Sequence, residues 1–128
     1  MPGIYADNLR KISAKTASYY MDRDDLGKII TNRGAVAELT LTLPLTTDLA
    51  AGWFVIYAVV ADYGVTVASY NSSDDIIAFN DATADSVQVN TSGKIVGAAG
   101  RMTWDGTSWI HAFFANNDAT NYNLLTVL

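Results

Sequence analysis

The sequence predicts an all-β protein, an antiparallel β-sandwich or barrel that is jelly-roll-like and carries an extended N-terminal arm. From about residue 16 onward, hydrophobic and polar side chains alternate with a period of two, and Val, Ile, Thr and aromatic residues are common. Gly, Asn, Asp or Ser interrupt the pattern every several residues, as turns do. The chain has 128 residues, half of them hydrophobic, which suffices for one core. We therefore expect one β domain over residues 16–128 and an arm over residues 1–15.

The elements follow from the pattern in chain order. Residues 1–15 lack the alternation and carry few large apolar side chains, so they resemble an arm more than a strand. In residues 38–43 three leucines alternate with Glu and Thr, which places one face in the core, and Pro44 then ends the strand. Residues 46–52 predict one helical turn, capped by Thr or Asp and ended by a glycine. Residues 53–60 are apolar on both faces, which indicates a central strand covered twice, or one whose second face meets another subunit.

The later part of the chain continues the strand pattern. Asp105 and Gly106 lie between Trp104 and Trp109, and an Asp-Gly pair supplies the positive φ that a tight hairpin turn requires. This stretch therefore predicts a hairpin whose turn is flanked by two tryptophans. Further strands are predicted at residues 65–69, 76–79, 86–90, 94–96, 101–104, 108–114 and 122–127.

The residue types needed for catalysis are scarce. There is no cysteine, and His111 is the only histidine, so a metal site built from His and Cys is excluded. A small hydrolase that combines His111 with Asp22 or Asp75 is conceivable, but no nucleophile motif supports it. A packed strand histidine is the favoured interpretation of His111. The sequence therefore predicts a protein that is not an enzyme and that uses no cofactor and no metal.

The acidic run Asp22, Asp24 and Asp25 superficially resembles the start of a calcium-binding loop. Leu26 occupies the third ligand position, however, and Arg33 stands where the bidentate glutamate belongs, so the match fails. A turn that leads into the following strand explains the same residues.

Charge and hydropathy exclude further classes of protein. The net charge is −5, but residues 1–33 carry six of the eight basic side chains and the remainder is strongly acidic. An acidic body is a poor surface for phosphates, so we expect no nucleic-acid partner, whereas the basic segment suits an acidic protein surface or simply solvent. The longest apolar run is far shorter than the roughly 20 residues of a membrane-spanning helix, so no membrane association is expected. The start does not resemble a signal peptide, and a chain without cysteines suits assembly in the cytoplasm.

Aromatic residues keep a sugar-binding module open as an alternative. Exposed Trp and Tyr side chains stack on sugar rings while nearby Asp and Asn bind hydroxyl groups. The sequence does not show which aromatic side chains are exposed rather than packed in a core or an interface. The candidates are Tyr63, Tyr70, Trp104, Trp109 and Tyr122.

Several short segments resemble β-rich virion proteins of tailed bacteriophages. They are YYMD at residues 19–22, DLGKIITNRGA at 25–35, LTLTLP at 39–44, GVTV at 64–67 and WDGTSW at 104–109. Short chains of this kind with an N-terminal arm are similar to head decoration, or cement, proteins, and the same module occurs in fibre proteins. The resemblance implies a protein on the capsid surface of the virion, commonly a trimer between capsomers, whose arm binds the major capsid protein.

Two sets of residues follow as expectations. The capsid contacts would lie in the arm, at Tyr5, Asn8, Arg10, Lys11 and Lys15. The doubly apolar strand would supply the interface of a homotrimer through Trp53, Val55, Tyr57 and Val59. The alternative function is a tail-fibre or spike domain that recognises a glycan of the host surface.

Overall fold

Two mixed β-sheets face each other in the computed structural model, which describes residues 11–90, 93–114 and 125–128. The seven-stranded sheet has the order β1-β3-β5-β10-β11-β7-β8, and the five-stranded sheet has the order β12-β9-β6-β4-β2. The strands of the larger sheet are β1 (Ile12–Ala14), β3 (Ile29–Thr31), β5 (Phe54–Ala58), β7 (Ile76–Ala78), β8 (Asp81–Ala84), β10 (Ala99–Trp104) and β11 (Trp109–Phe114). Those of the smaller sheet are β2 (Tyr19–Tyr20), β4 (Leu39–Thr42), β6 (Val65–Ala68), β9 (Ser86–Val89) and β12 (Leu125–Val127).

The first six strands alternate between the two sheets. Strands β1, β3 and β5 are therefore parallel neighbours in one sheet, and β2, β4 and β6 are parallel neighbours in the other. Parallel neighbours need a long crossover, and here the crossover runs through the opposite sheet. The strands β10 and β11 form an antiparallel hairpin, as do β7 and β8. The predicted all-β sandwich is confirmed. Its sheets are mixed rather than antiparallel, a feature that the sequence could not predict, since period-two patterning shows which residues form strands and not their direction.

The core lies between the sheets. The three leucines of residues 38–43 point inward and are almost completely buried, as their alternation predicts. The predicted hairpin is also present, with Trp104 paired to Trp109 and Gly106 at a φ of +97° in the turn. The helices within the described residues are single 3₁₀ turns at Arg23–Asp25, Thr46–Asp48 and Tyr70–Ser72, and none is long and apolar enough to span a bilayer.

Three segments differ from the expectation. Ile12–Ala14 lie within the predicted arm but pair with β3 as an edge strand, while residues 1–10 of the arm lie outside the described residues. Strand β8 was not predicted, because its residues include Asp, Ala and Thr and little else. Residues 94–96 form a turn beside Gly97, whose φ is +97°, and of these three residues only Ile95 is buried. Of the predicted strand at 122–127, Leu125–Val127 form β12, and residues 122–124 lie outside the described residues.

A buried asparagine holds the end of β3 against the loop that follows β5. Asn32 is 1% exposed, and its Nδ2 donates to the carbonyl oxygens of Ala61 and Tyr63, each at 3.0 Å. Its Oδ1 accepts hydrogen bonds from the backbone N–H groups of Val60 and Ala61, at 2.7 and 2.8 Å. One side chain therefore satisfies four backbone groups of the loop that follows β5.

Replacing Asn32 by Asp should destabilise the fold strongly. The new carboxylate would present oxygen to two carbonyl oxygens and would bury a charge without a cation, which we expect to cost about 3 kcal/mol or more. Urea denaturation measures the loss. The matched control is Asn90→Asp, at an exposed residue whose side chain contacts Gln88, and it should change stability by less than about 0.5 kcal/mol. Equal losses in both variants would contradict this role of Asn32.

Candidate functional site

The larger sheet has one face turned away from the core, and we call the part of it formed by β1, β3, β5, β10, β11 and β7 the outer face. Strand register places its members in three rows that run across the sheet. Apart from Thr31, Thr103 and Arg101, every member is apolar. The rows are Ile12, Ile29, Ile56, Arg101 and Ala112; then Phe54, Thr103, Ile110 and Ile77; then Ala14, Thr31, Ala58, Ala99 and Phe114.

This composition is unusual for the open side of a sandwich, where polar residues normally alternate with the buried ones. Several large side chains of the outer face are between 37% and 57% exposed, namely Ile12, Ile29, Ile77, Ile110 and Phe114. From strand spacing and rise, the three rows cover about 450 Å². That area lies within the range of the largest apolar patch on a monomer, and such patches often mark interaction sites.

Arg101 is the one charged member of the outer face. It lies on β10, the middle strand of the sheet, opposite Ile56 on one side and Ala112 on the other. It forms no ion pair with any residue in the described ranges. An apolar surface with a single central cation has the anatomy of a protein interface, in which aromatic and aliphatic residues and Arg are enriched and other charges are rare.

The outer face ends at strand β1 in a shallow depression of about 370 Å³. Its lining combines apolar and basic groups: Ile12, Ala14, Thr31, Arg33 and Val60. Of the predicted capsid contacts, Lys11 is exposed just before β1, and Lys15 follows it with its Nζ 3.7 Å from the centre of the Tyr19 ring. Tyr5, Asn8 and Arg10 lie outside the described residues.

The predicted trimer interface is wrong in its choice of residues. Trp53, Val55, Tyr57 and Val59 are at most 6% exposed and belong to the chain's own core, so they offer no surface to a second subunit. Strand β5 is apolar on both faces, as predicted, but the alternation runs the other way. The side chains that it directs outward are Phe54, Ile56 and Ala58.

His111 lies on the inner face of β11 and is held by aromatic side chains. Its ring stacks on Tyr57 and on Phe113, and its Nε2 lies 2.8 Å from the Tyr57 hydroxyl oxygen. Tyr57 reaches across β10 because its register partner there is Gly100, where a Cβ atom would lie 2.6 Å from that hydroxyl. Burial lowers the pKa of His111 to about 4 and raises that of Tyr57.

The hydrolase interpretation would need a nucleophile and a carboxylate at His111. In the described part of the chain its hydrogen-bond partner is Tyr57, and its Nδ1 is buried without a partner. A catalytic imidazole in such a triad uses both ring nitrogens, one toward the nucleophile and one toward the acid. The arrangement is that of a packed histidine.

The stability of the fold should depend on pH through His111. The unfolded chain protonates this histidine near pH 6.5, whereas the folded chain protonates it only near pH 4. The stabilisation is therefore complete above pH 6.5 and is lost as the pH falls toward 4, by up to about 3 kcal/mol. Denaturant titrations at pH 7 and at pH 4.5 measure the difference.

The control for this effect is His111→Gln, which keeps a hydrogen-bonding side chain but does not titrate. Its stability should change much less over the same interval. The pKa of Asp25 is lowered, so protonation of this residue affects stability only at still lower pH and does not interfere with the comparison of the two proteins. An identical pH dependence in both proteins would refute the assignment to His111.

The acidic run at residues 22–25 forms a turn, as the sequence predicts. Asp22 and Asp25 make a capping box around the 3₁₀ turn, and Asp25 is 2% exposed. Burial would raise the pKa of Asp25, but hydrogen bonds from Lys28, the Asp22 backbone and the Tyr19 hydroxyl outweigh it and lower the pKa. Within the described ranges, no group of three or more His, Cys, Asp or Glu side chains is placed to hold a metal ion.

The aromatic candidates for sugar binding differ in their exposure to solvent. Trp104 and Trp109 pack in the core, with ring centres 5.4 Å apart, and are not available. Tyr63 is exposed, Tyr70 is half-buried, and Tyr122 lies outside the described residues. The sequence reasoning missed Tyr20, which is 70% exposed and packs edge-on against Tyr70. Beside this pair is a depression of about 290 Å³ whose lining includes Asp22, Arg23, Leu45 and Asp48.

Comparison of the sequence with protein-family models and with curated proteins gives no match. The functional argument therefore depends on the outer face, the charges around β1 and the two depressions.

Proposed function

We propose that this chain is a structural virion protein that binds the outer surface of a tailed-phage capsid and stabilises it by bridging subunits of the major capsid protein. The observation that carries the proposal is the apolar outer face with its single arginine. A surface of this kind binds another protein surface, and it requires no reacting group. Repetition over a closed shell then multiplies a modest affinity at each site.

The charge distribution supports the same proposal. Arg33 lines the depression at the β1 end of the outer face, Lys11 and Lys15 lie immediately before and after β1, and the sequence before them adds Arg10. The body of the chain is acidic, so the basic end is directed to a different surface from the rest. We expect the partner surface on the capsid to be apolar with acidic groups at its edge. Self-association into a trimer remains part of the proposal, but the buried face of β5 offers it no contacts.

A second candidate function is glycan recognition in a fibre or spike, and one observation favours it. Tyr20 and Tyr70 form an aromatic pair beside a depression that also carries Asp22, Arg23 and Asp48. Aromatic faces with carboxylates nearby suit the C–H faces and hydroxyl groups of a sugar. This depression is lined by none of the residues of the outer face, so variants distinguish the two functions.

A lysine on the outer face should abolish capsid binding. Ile110→Lys places a charge in the middle of the apolar rows, where it must be desolvated on binding, and we expect at least a tenfold loss of affinity for capsids of the phage that encodes the chain. Co-sedimentation with purified capsids measures it. The matched control is Leu45→Lys, at a similarly exposed residue of the other depression, which should bind capsids normally. If Leu45→Lys loses binding and Ile110→Lys does not, the outer face is not the contact.

Removal of residues 1–10 tests the part of the arm that precedes β1. A deletion through residue 15 would also remove β1 and its pairing with β3. The shorter deletion should leave the melting temperature unchanged within about 3 °C and should reduce capsid occupancy severely. Full occupancy by this truncated protein would show that the arm does not contribute.

A further inference from the structure

Among the described residues, no strand pairs with the outer edge of β1 in the larger sheet. Ile29 N–H donates to Lys11 O, and Lys15 N–H donates to Thr31 O, so residues 11, 13 and 15 face β3. In a parallel ladder the residues between them direct their backbone groups the other way. The N–H and C=O groups of Ile12 and Ala14 therefore point out of the sheet, and no described strand lies beyond them.

At the opposite edge of the same sheet, strand β8 is partly protected from pairing with a further strand. On β8, the N–H of Thr83 is bonded to the Asp81 carboxylate, with a distance of 2.9 Å to Oδ1. A side chain that occupies an edge N–H group blocks pairing there, which is one way that proteins protect sheet edges. No hydrogen bond of this kind covers Ile12 or Ala14 among the described residues.

The surroundings of the open edge are basic. Strands β1 and β3 with their immediate neighbours, residues 11–15 and 28–33, contain four cations and no acidic residue. Lys28 is paired with Asp25 at 2.9 Å, whereas Lys11, Arg33 and Lys15, whose Nζ lies over the Tyr19 ring, form no ion pair among the described residues. Lys11 and Lys15 are four residues apart, so they flank the edge at a separation of about 13 Å along the strand.

Charge decides between a second copy of the chain and a different partner. Two β1 edges paired with each other in antiparallel register would place Lys11 of one opposite Lys15 of the other, and like charges directly opposite are destabilising. An acidic partner strand would instead neutralise both lysines. Its apolar residues would lie opposite Ile12 and Ala14 and extend over the depression of the outer face.

We propose that the β1 edge takes up an extended segment of a partner protein as an additional strand, and that this segment has carboxylates four residues apart with apolar residues between them. The main-chain bonds to Ile12 and Ala14 supply affinity, and Lys11 and Lys15 supply selectivity. The inference rests on the proposed function insofar as the partner is a capsid protein. The edge itself is testable without a capsid.

The test is an NMR titration of the full-length protein with the capped peptide Thr-Asp-Val-Thr-Val-Asp-Thr. We expect saturable shifts of the Ile12 and Ala14 amides with a Kd on the order of 1 mM, and at least tenfold weaker binding of the same peptide with Lys in place of Asp. The absence of shifts at about ten times that concentration overturns the proposal. Equal binding of both peptides overturns its charge component.

Two variants make the test specific to the edge. Ala14→Pro removes an outward N–H without removing a bond to β3, so the peptide should no longer bind. If that variant does not fold, the double variant Lys11→Glu and Lys15→Glu should prefer the lysine peptide, a reversal that a structural defect would not produce. Lys94→Glu, at an exposed lysine of another loop, is the matched control and should bind like the parent.

The outcomes separate the two proposals. Peptide binding at the edge without capsid binding removes the capsid role and leaves the edge site. Capsid binding by a protein whose Ile12 and Ala14 amides do not shift with the peptide removes the edge site and leaves the capsid role.

Discussion

Burial of Val55, Tyr57 and Val59 between the two sheets is the constraint on which the surface of this protein depends. Because side chains alternate along a strand, fixing these three inward forces Phe54, Ile56 and Ala58 outward, and a slip of one residue would exchange the two sets. The inward set already fills the core of the chain. The outward set continues across five other strands of the sheet as a mostly apolar surface, several of whose side chains are exposed.

The interior also shows why some features of the fold cannot be predicted from the sequence. Alternation indicates the inward leucines of residues 38–43, and an Asp-Gly pair between tryptophans indicates the hairpin, because both signals are local. Strand direction depends on how distant segments meet, so the parallel pairs of the first six strands are not visible in the pattern. Asn32 gives no local signal either, since its four bonds join groups about thirty residues away.

The same limit applies to the candidate site. The doubly apolar strand was recognised from its composition, but composition cannot tell which face a sheet turns to the core. The sequence identifies Lys11 and Lys15 as basic residues near the start. That they lie immediately before and after an edge strand follows only from the pairing of β1 with β3. Tyr20 gives no signal of exposure, because a tyrosine in a two-residue edge strand has no pattern that distinguishes it from a core residue.

The apolar sheet face and the basic strand edge are the features on which the proposed binding function rests. The central claim is that this binding occurs on the capsid of a tailed phage. A cryo-EM reconstruction of the virion of the encoding phage tests it most directly. The account predicts density for the sandwich on the outer capsid surface, with the outer face of the larger sheet against the major capsid protein. Density at the tail tip, or no copy in the particle, would contradict it.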